Sequence, residues 1–189
     1  MNANSPTQIA EDARKPTTPV ATEAAEPDAS ACEGRPVEIV EEAWPNGNPQ
    51  YRQAVVNFDD GTLVPHGKTT TFWEEGGRKL EIIYVCGVRH GPKLAWHADG
   101  GKWQVCEYFN GKDHGTWTIW AANGTMARQW TMIHGAWDGL YTAWHPNGQK
   151  RKEVEWVYGR KQGAEIFWDE DGYEARRIIY ADGVQQPGG

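Results

Sequence analysis

Apolar and polar residues alternate along most of this chain in short runs, and glycine-containing turns separate the runs. The pattern repeats every 24 residues in five units, which begin at His66, His90, His114, Asp138 and Gln162. Numbered from these residues, each unit has alternating runs at positions 3–8 and 13–20 and an Asn-, Asp- or Glu-Gly turn at positions 10–11. Alternation with a period of two predicts β-strands, so each unit predicts one β-hairpin.

Consecutive hairpins predict an all-β fold, a single-layer twisted antiparallel meander of tandem 24-residue hairpin repeats. Paired glycines such as Gly111 and Gly115 bracket the connections between hairpins, where the chain must reverse again. The turn inside each hairpin is expected to have three residues, with a type I turn and a left-handed glycine, and Pro146-Asn147-Gly148 suits it. We expect such a turn to place positions 5, 7, 17 and 19 on one face.

That face would carry an aromatic ladder at positions 7, 17 and 19, made of Phe72, Trp96, Trp120, Trp144, Trp168, Tyr84, Tyr108, Trp130, Trp156 and Tyr180. The ladder can be the core of the sheet, because side chains that face inward pack on one another. It can also be a binding surface, because a single layer leaves part of its apolar area uncovered. The other face carries irregular aromatic residues, which predict a candidate interaction surface of Trp73, Trp103, Trp117 and Tyr141.

The composition changes outside the five units. Residues 1–36 hold five of the eleven prolines and no aromatic residue, which predicts a disordered acidic tail. Residues 37–65 resemble a degenerate unit that caps the array, residues 66–184 hold the five repeats, and residues 185–189 are expected to be a flexible C-terminus.

The repeated string is similar to that of a known family. The segment Tyr108–Gly124, with Asn110-Gly111, His114-Gly115, Trp120 and Asn123-Gly124, resembles MORN repeats, and in particular the bacterial variant found in antitoxin-like proteins. The resemblance covers about residues 40–184. It implies a β-hairpin array used for protein contact or scaffolding, or for phospholipid contact in eukaryotic relatives, and it carries no catalytic motif.

Charge and composition narrow the classes of partner that we expect. The chain has 189 residues, 11 Trp and a net charge of -7, with 26 acidic against 19 basic residues. Nucleic acids and anionic membrane lipids both need a concentrated basic face, so neither is expected as a partner. The ends of the sheet would be open edges through which copies of the chain could associate.

Histidines and cysteines offer no predicted metal or catalytic site. His66, His90 and His114 share position 1, but equivalent residues of neighbouring units lie about 10 Å apart, too far for one ion. Cys86 and Cys106 are offset along neighbouring strands beyond the reach of a disulfide. With Cys32 in the tail, we expect reduced thiols.

No catalytic motif and no cofactor site is predicted, so we expect a non-enzymatic protein. The sequence predicts a cytoplasmic protein–protein interaction or scaffold module, since it shows no signal peptide or membrane span. An antitoxin-like role is one instance of this function. The alternative is a module that binds carbohydrate or cell-envelope ligands through its aromatic ladder.

Overall fold

The computed structural model describes residues 29–187, and these fold as one open antiparallel sheet. Consecutive strands are neighbours throughout, and the two-residue strand β9 pairs only with β8. The predicted all-β meander of tandem hairpins is therefore confirmed. A 3-10 helical turn, Ala29–Cys32, precedes the sheet.

The strands follow the hairpin units closely. Their bounds are β1 Val37–Ala43, β2 Pro49–Asn57, β3 Leu63–Phe72, β4 Arg78–Val85, β5 Val88–Trp96, β6 Lys102–Phe109, β7 Lys112–Trp120, β8 Met126–Ile133, β9 Ala136–Trp137, β10 Gly139–Trp144, β11 Lys150–Val157, β12 Arg160–Trp168, β13 Glu174–Ala181 and β14 Val184–Gln185. Each unit gives the last part of one strand and the whole of the next, so the 24-residue period corresponds to two strands.

The turn within each hairpin has the predicted three residues. In the third unit, the Ala121 N–H donates to the Thr125 carbonyl at 2.9 Å, and the Gly124 N–H closes a β-turn on Ala121. Gly124 has a φ of 80°, the left-handed conformation that glycine adopts without strain. The Asn123 side chain accepts the Thr125 N–H at 3.0 Å, which explains why Asn or Asp precedes the glycine.

The connections between units are two-residue turns, in which both residues have positive φ. Asn110 and Gly111, with φ of 47° and 77°, are typical, and this pair of angles defines a type I′ turn. The Gly111 N–H also donates to the Arg89 carbonyl of the preceding unit at 2.8 Å. Adjacent units are therefore joined directly at this end of the strands as well as through their ladders.

Position 1 supports the same turns in four of the five units, whereas His114 Nδ1 of the third unit is buried without a hydrogen-bond partner among the described residues. His66 Nδ1 accepts the Cys86 N–H at 3.3 Å, and Gln162 Oε1 accepts the Asp182 N–H at 2.9 Å. His, Asp and Gln share a hydrogen-bond acceptor at the required reach, which explains the recurrence of these residues at position 1. His66 and His90 are thus residues of the turn framework.

The expected arrangement of faces was wrong, because each hairpin contains a bulge beside its turn. In the third unit Trp117 pairs with Trp130 and Ile119 with Arg128, but Trp120 pairs with Met126, so Ala127 is an extra residue. All five units show this shift just before position 7. A shift of one residue exchanges the two faces of a strand relative to its partner.

Positions 4 and 6 therefore share a face with positions 15, 17 and 19. Position 7 comes three residues after position 4 in the same strand, so it faces the other way. The predicted single ladder is thus two rows on opposite faces. One row is Phe72, Trp96, Trp120, Trp144 and Trp168, and the other is Tyr84, Tyr108, Trp130, Trp156 and Tyr180.

The core lies on the face of positions 17 and 19. Ile82, Cys106 and Tyr108 are buried there and form a cluster against which Trp117 packs. The same face has fully buried Val154. We call it the aromatic side of the sheet.

The expectation of reduced thiols was also wrong. Cys32 forms a disulfide with Cys86, and their Cα atoms lie 5.7 Å apart. The turn Ala29–Cys32 places Cys32 beside the two-residue turn that begins at Cys86. Residues 1–28 of the predicted tail lie outside the described residues. Cys106 is a free thiol, and burial raises its pKa to about 11.

We expect the disulfide to stabilise the first third of the sheet, because it closes a segment with a sequence separation of 54. In the chain-entropy description, closure of such a loop contributes about 4 kcal/mol. Replacement of both Cys32 and Cys86 by Ser should lower the free energy of unfolding by that amount, measured by urea denaturation. Reductant should destabilise the parent chain and leave the double variant unchanged. An equal effect of reductant on both proteins would contradict this role.

Candidate functional site

Five aromatic residues from five strands form a continuous stack on the aromatic side. The stack consists of Trp117 (β7), Trp130 (β8), Trp137 (β9), Tyr141 (β10) and Trp156 (β11). Ring centroids lie 5.6 Å apart for Trp117–Trp130, 5.5 Å for Trp130–Trp137 and 5.3 Å for Trp137–Trp156. Tyr108 extends the stack toward the core with an edge contact to Trp117 at 5.7 Å. The rings thus form one connected surface.

The first three rings of the row, Trp117, Trp130 and Trp137, lie face to face, whereas the contacts of Tyr141 and Trp156 are tilted. The planes of Trp117 and Trp130 differ by 24°, and those of Trp130 and Trp137 by 27°. Both faces of the Trp130 ring are therefore covered by neighbouring rings. What the middle of the stack presents outward is ring edges, whose hydrogens carry partial positive charge.

A buried carboxylate lies next to the stack. Glu165 is 2% exposed, and its Oε1 contacts Lys152 Nζ at 2.6 Å and Lys161 Nζ at 2.7 Å. Burial by itself raises the pKa of Glu165, but hydrogen bonds and charge from the two ammonium groups outweigh it, so the pKa is lowered. Lys152 also lies 5.7 Å from the Tyr141 ring, and Lys161 lies 5.9 Å from the Trp156 ring. The charged cluster is thus continuous with the stack.

A groove lies farther along the same side, among the first two units. It has a volume of about 400 Å³, and its lining includes Trp73, Lys79, Lys93, Trp96 and Trp103. The Trp73 indole N–H donates to the Trp96 carbonyl at 3.3 Å, and the Lys79 ammonium lies 4.4 Å from the centre of the Trp73 ring. We call this the tryptophan groove.

The four residues of the predicted interaction surface fall into two places. Trp117 and Tyr141 belong to the stack, and Trp73 and Trp103 belong to the tryptophan groove. The structure also brings in the row of positions 17 and 19, which the sequence analysis placed on the other face, since Trp130 and Trp156 lie on the same side as these residues. The irregular aromatics and the regular position-17 and position-19 residues therefore share one surface.

Sequence reasoning missed Trp137, Lys152, Lys161 and Glu165. Trp137 occupies position 24, where the other units have Arg89, Asp113, Lys161 and Gln185, so no aromatic repeats there. A signal did exist, because position 24 lies opposite position 19 across the two-residue turn, as Met132 lies opposite Trp137. Position 4 is aromatic in the third and fourth units, as Trp117 and Tyr141, and is Glu165 in the fifth. This change from an aromatic residue to a carboxylate is visible when the units are aligned.

The position-7 row has a different setting. Arg78 lies 4.5 Å from the centre of the Trp96 ring, and Lys150 lies 5.8 Å from that of Trp168. Main-chain carbonyls of this row are hydrogen-bonded to side chains at position 8 of the preceding unit. His145 Nε2, for example, contacts the Trp168 carbonyl at 2.8 Å. His97 makes the same contact to Trp120 at 3.3 Å. These contacts link neighbouring three-residue turns.

Within residues 29–187, no group of three or more His, Cys, Asp or Glu residues is arranged to hold a metal ion. The part of the chain that the structure describes also has no helix long and apolar enough to cross a membrane.

Comparison with known proteins identifies one repeat. A family model described as the MORN repeat variant matches residues 137–158, which include Trp137, Tyr141 and Trp156 of the stack. The chain thus contains a MORN repeat within its β-sheet module. Among solved structures, it is similar to a protein of unknown function from Bacteroides fragilis, with 9% identity over 81% of this chain and 98% of that one. The TM-score is 0.20, so this similarity supports no conclusion about the fold or the function of the chain. No curated protein matches the chain.

The charged cluster beside the stack predicts a pH-dependent stability. Because the pKa of Glu165 is lowered in the folded protein, its carboxylate contributes fully to stability at pH values above the ordinary glutamate pKa of 4.5. This stabilisation is lost as the pH falls through the lower pKa of the folded state. We expect Glu165→Gln to reduce the free energy of unfolding at pH 7 by about 2–3 kcal/mol, because it leaves two ammonium groups without their carboxylate. Denaturation at several pH values should show the parent and the variant converging toward low pH. A constant difference between pH 7 and pH 3 would contradict this assignment.

Proposed function

We propose that the chain is a non-enzymatic protein–protein interaction module whose docking surface is the aromatic stack. The observation that carries the proposal is the connected row of rings on one side of a single-layer sheet. Within residues 29–187, all strands belong to that one sheet, so no second layer covers the row. Trp and Tyr are the residues that most often dominate the energy of protein interfaces.

Charge indicates the chemistry of the partner. Within the five units, the aromatic side carries six cations at positions 4, 15 and 24 against two carboxylates, Asp113 and Glu165; the cations are Arg89, Lys93, Arg128, Lys152, Lys161 and Arg176. Strand β1 adds Glu38 and Glu42 to the same side. At positions 3, 13, 16 and 18 the opposite face is balanced, with five carboxylates against five cations: Glu81, Glu107, Glu153, Glu155 and Glu174 against Lys68, Arg78, Lys102, Lys150 and Arg177. The net charge of -7 therefore hides a basic aromatic side. We infer an acidic partner surface, since complementary charge supports docking and orientation.

An antitoxin-like role would be one instance of this function, with a toxin protein as the partner. The stack geometry supports a protein partner over a carbohydrate. Sugar rings stack on an exposed aromatic face, whereas both faces of Trp130 are occupied by Trp117 and Trp137. Ring edges and the apolar area between them suit the side chains of a protein surface.

The test is a co-purification from the native host, followed by an affinity measurement with the recovered partner. We expect Trp137→Ala to weaken binding at least about 30-fold, which corresponds to the roughly 2 kcal/mol of an interface hot spot. Tyr173→Ala is the matched control, because Tyr173 is an aromatic residue that is 73% exposed and outside the stack. Its affinity should equal that of the parent chain, and binding of the parent should weaken with salt.

Two results would contradict the proposal. One is a chain that elutes at its monomer mass with no stoichiometric partner. The other is a partner that Trp137→Ala and Tyr173→Ala bind equally well. A parallel polysaccharide pull-down tests the alternative, and retention of the parent chain but not of Trp117→Ala would favour carbohydrate binding.

The sheet edges support weak association between copies. The outer strand β1 carries Glu38, Glu41 and Glu42, and β13 carries Arg176 and Arg177 and is covered by β14 only at its end. We propose head-to-tail pairing of β1 in one copy with β13 in another, since an open edge can take a further strand. Glu38 and Arg176 lie on the same side of the sheet, so pairing of the two strands would bring their charges to one face.

Sedimentation velocity at increasing concentration tests this pairing. We expect salt-sensitive association that is lost in Arg176→Glu and in Glu38→Arg. A mixture of the two variants should associate again, because the charges are then exchanged between partners. Monomeric behaviour of the parent chain at all concentrations, or no recovery in the mixture, would contradict it.

A further inference from the structure

The tryptophan groove exists because two tryptophans break the repeat. Trp73 occupies position 8, where the other units have His97, Ala121, His145 and Asp169. Trp103 occupies position 14, the extra residue of the bulge, where the other units have Lys79, Ala127, Arg151 and Ala175. The corresponding depression in a later unit is about 240 Å³ and is lined by Ala121, Ala127 and Arg151 instead. The groove is therefore a local addition to the framework.

Hydrogen bonding and packing hold the walls of the groove. One wall is Trp73, fixed by its N–H bond to the Trp96 carbonyl and covered on one face by the Lys79 ammonium. The other wall is Trp103, which lies 6.5 Å from His97 and remains 45% exposed. Leu80 and Ala95 form the floor between them. A volume of about 400 Å³ lies within the range of roughly 300–1,000 Å³ that is typical of ligand sites.

Two lysines in this groove differ from those beside the stack. Lys152 and Lys161 share the buried carboxylate of Glu165. Lys79 and Lys93 line the groove, and within residues 29–187 neither makes an ion pair with a carboxylate. The Lys79 ammonium contacts only the Trp73 ring face among these groups. An apolar groove with two unneutralised ammonium groups is complementary to a ligand that joins an apolar group to a carboxylate.

We propose that the tryptophan groove binds a short acidic-apolar segment of a partner protein, with an aromatic or branched side chain between Trp73 and Trp103 and a neighbouring Asp or Glu at Lys79 and Lys93. This assignment rests on the proposed interaction function and names a second contact region for it. The stack and the groove lie on the same side of the sheet. A partner that reaches both would gain affinity from two linked contacts.

The test uses NMR of the full chain, observing the tryptophan indole N–H signals. The probe is the peptide N-acetyl-Asp-Phe amide, and its matched control is N-acetyl-Asn-Phe amide, which differs by one charge. We expect saturable shifts at Trp73 and Trp103 and at least about fivefold weaker binding of the control peptide, as for loss of a charge-assisted contact. Assignment of the two signals follows from Trp73→Phe and Trp103→Phe.

Variants of the chain separate charge from packing. The double variant Lys79→Met, Lys93→Met keeps most of the side-chain length, and it should bind the acidic peptide no better than the neutral one. Lys102→Met is the control, because Lys102 is a lysine of the neighbouring strand β6 that does not line the groove. Urea denaturation of each variant confirms that the sheet is folded.

Three outcomes would overturn the proposal. They are equal binding of the two peptides, unchanged binding by the double lysine variant, and equally strong binding of free phenylacetate, which would make the groove a small-molecule site. Failure of the groove is distinct from failure of the interaction module. Loss of partner binding in Trp137→Ala, together with unchanged binding in the groove variants, would remove the groove and leave the module. Peptide binding in the groove without any co-purified partner would support the groove and remove the interaction module.

Discussion

The bulge beside each three-residue turn determines which side chains meet. Because one extra residue enters the second strand of every hairpin, position 4 lies opposite position 17, as Trp117 lies opposite Trp130. Without that residue the position-7 aromatics would join the core, and the stack could not form. The second irregularity in each unit, between Val105 and Glu107 in one case, changes the register by two residues and leaves the faces unchanged. One repeated insertion therefore sets the identity of the aromatic side.

A sheet of one layer must bury apolar area without a partner layer, and large rings make this possible. Trp and Tyr side chains cover neighbouring strands, so Trp130 contacts Trp117, Trp137 and Tyr141. Each ring is then partly buried by its neighbours, while the outer edge of the row stays in contact with solvent. The same residues thus stabilise the sheet and leave an apolar surface available. In such an architecture, one row of rings serves both as the core and as an exposed surface that can bind a partner.

The fold could be predicted from the period, the turn residues and the alternation, since each is a local property of the sequence. Gly124 and Asn110-Gly111 mark the two kinds of turn before any tertiary contact is considered. The faces could not be predicted, because a bulge at Ala127 leaves no distinctive residue and changes the register by one. The Cys32–Cys86 pairing was hidden for a similar reason, since it depends on where the chain before β1 crosses the sheet. The sequence identified most of the aromatic residues of the candidate site, but it did not predict how they divide between the stack and the tryptophan groove.

Net charge was a poor guide to the partner because the two faces of a sheet are independent surfaces. Alternation assigns consecutive residues to opposite sides, so Lys152 and Glu153 in one strand contribute opposite charges to different solvent regions. A single layer has no interior in which these charges could offset one another. An incoming protein experiences the side that it approaches, within a screening distance of about 8 Å at physiological salt. Much of the acidic excess lies in the turns, which hold Asp59, Asp60, Glu74, Glu75, Asp99, Glu170 and Asp171. The basic aromatic side can therefore attract an acidic partner even though the whole chain is negative.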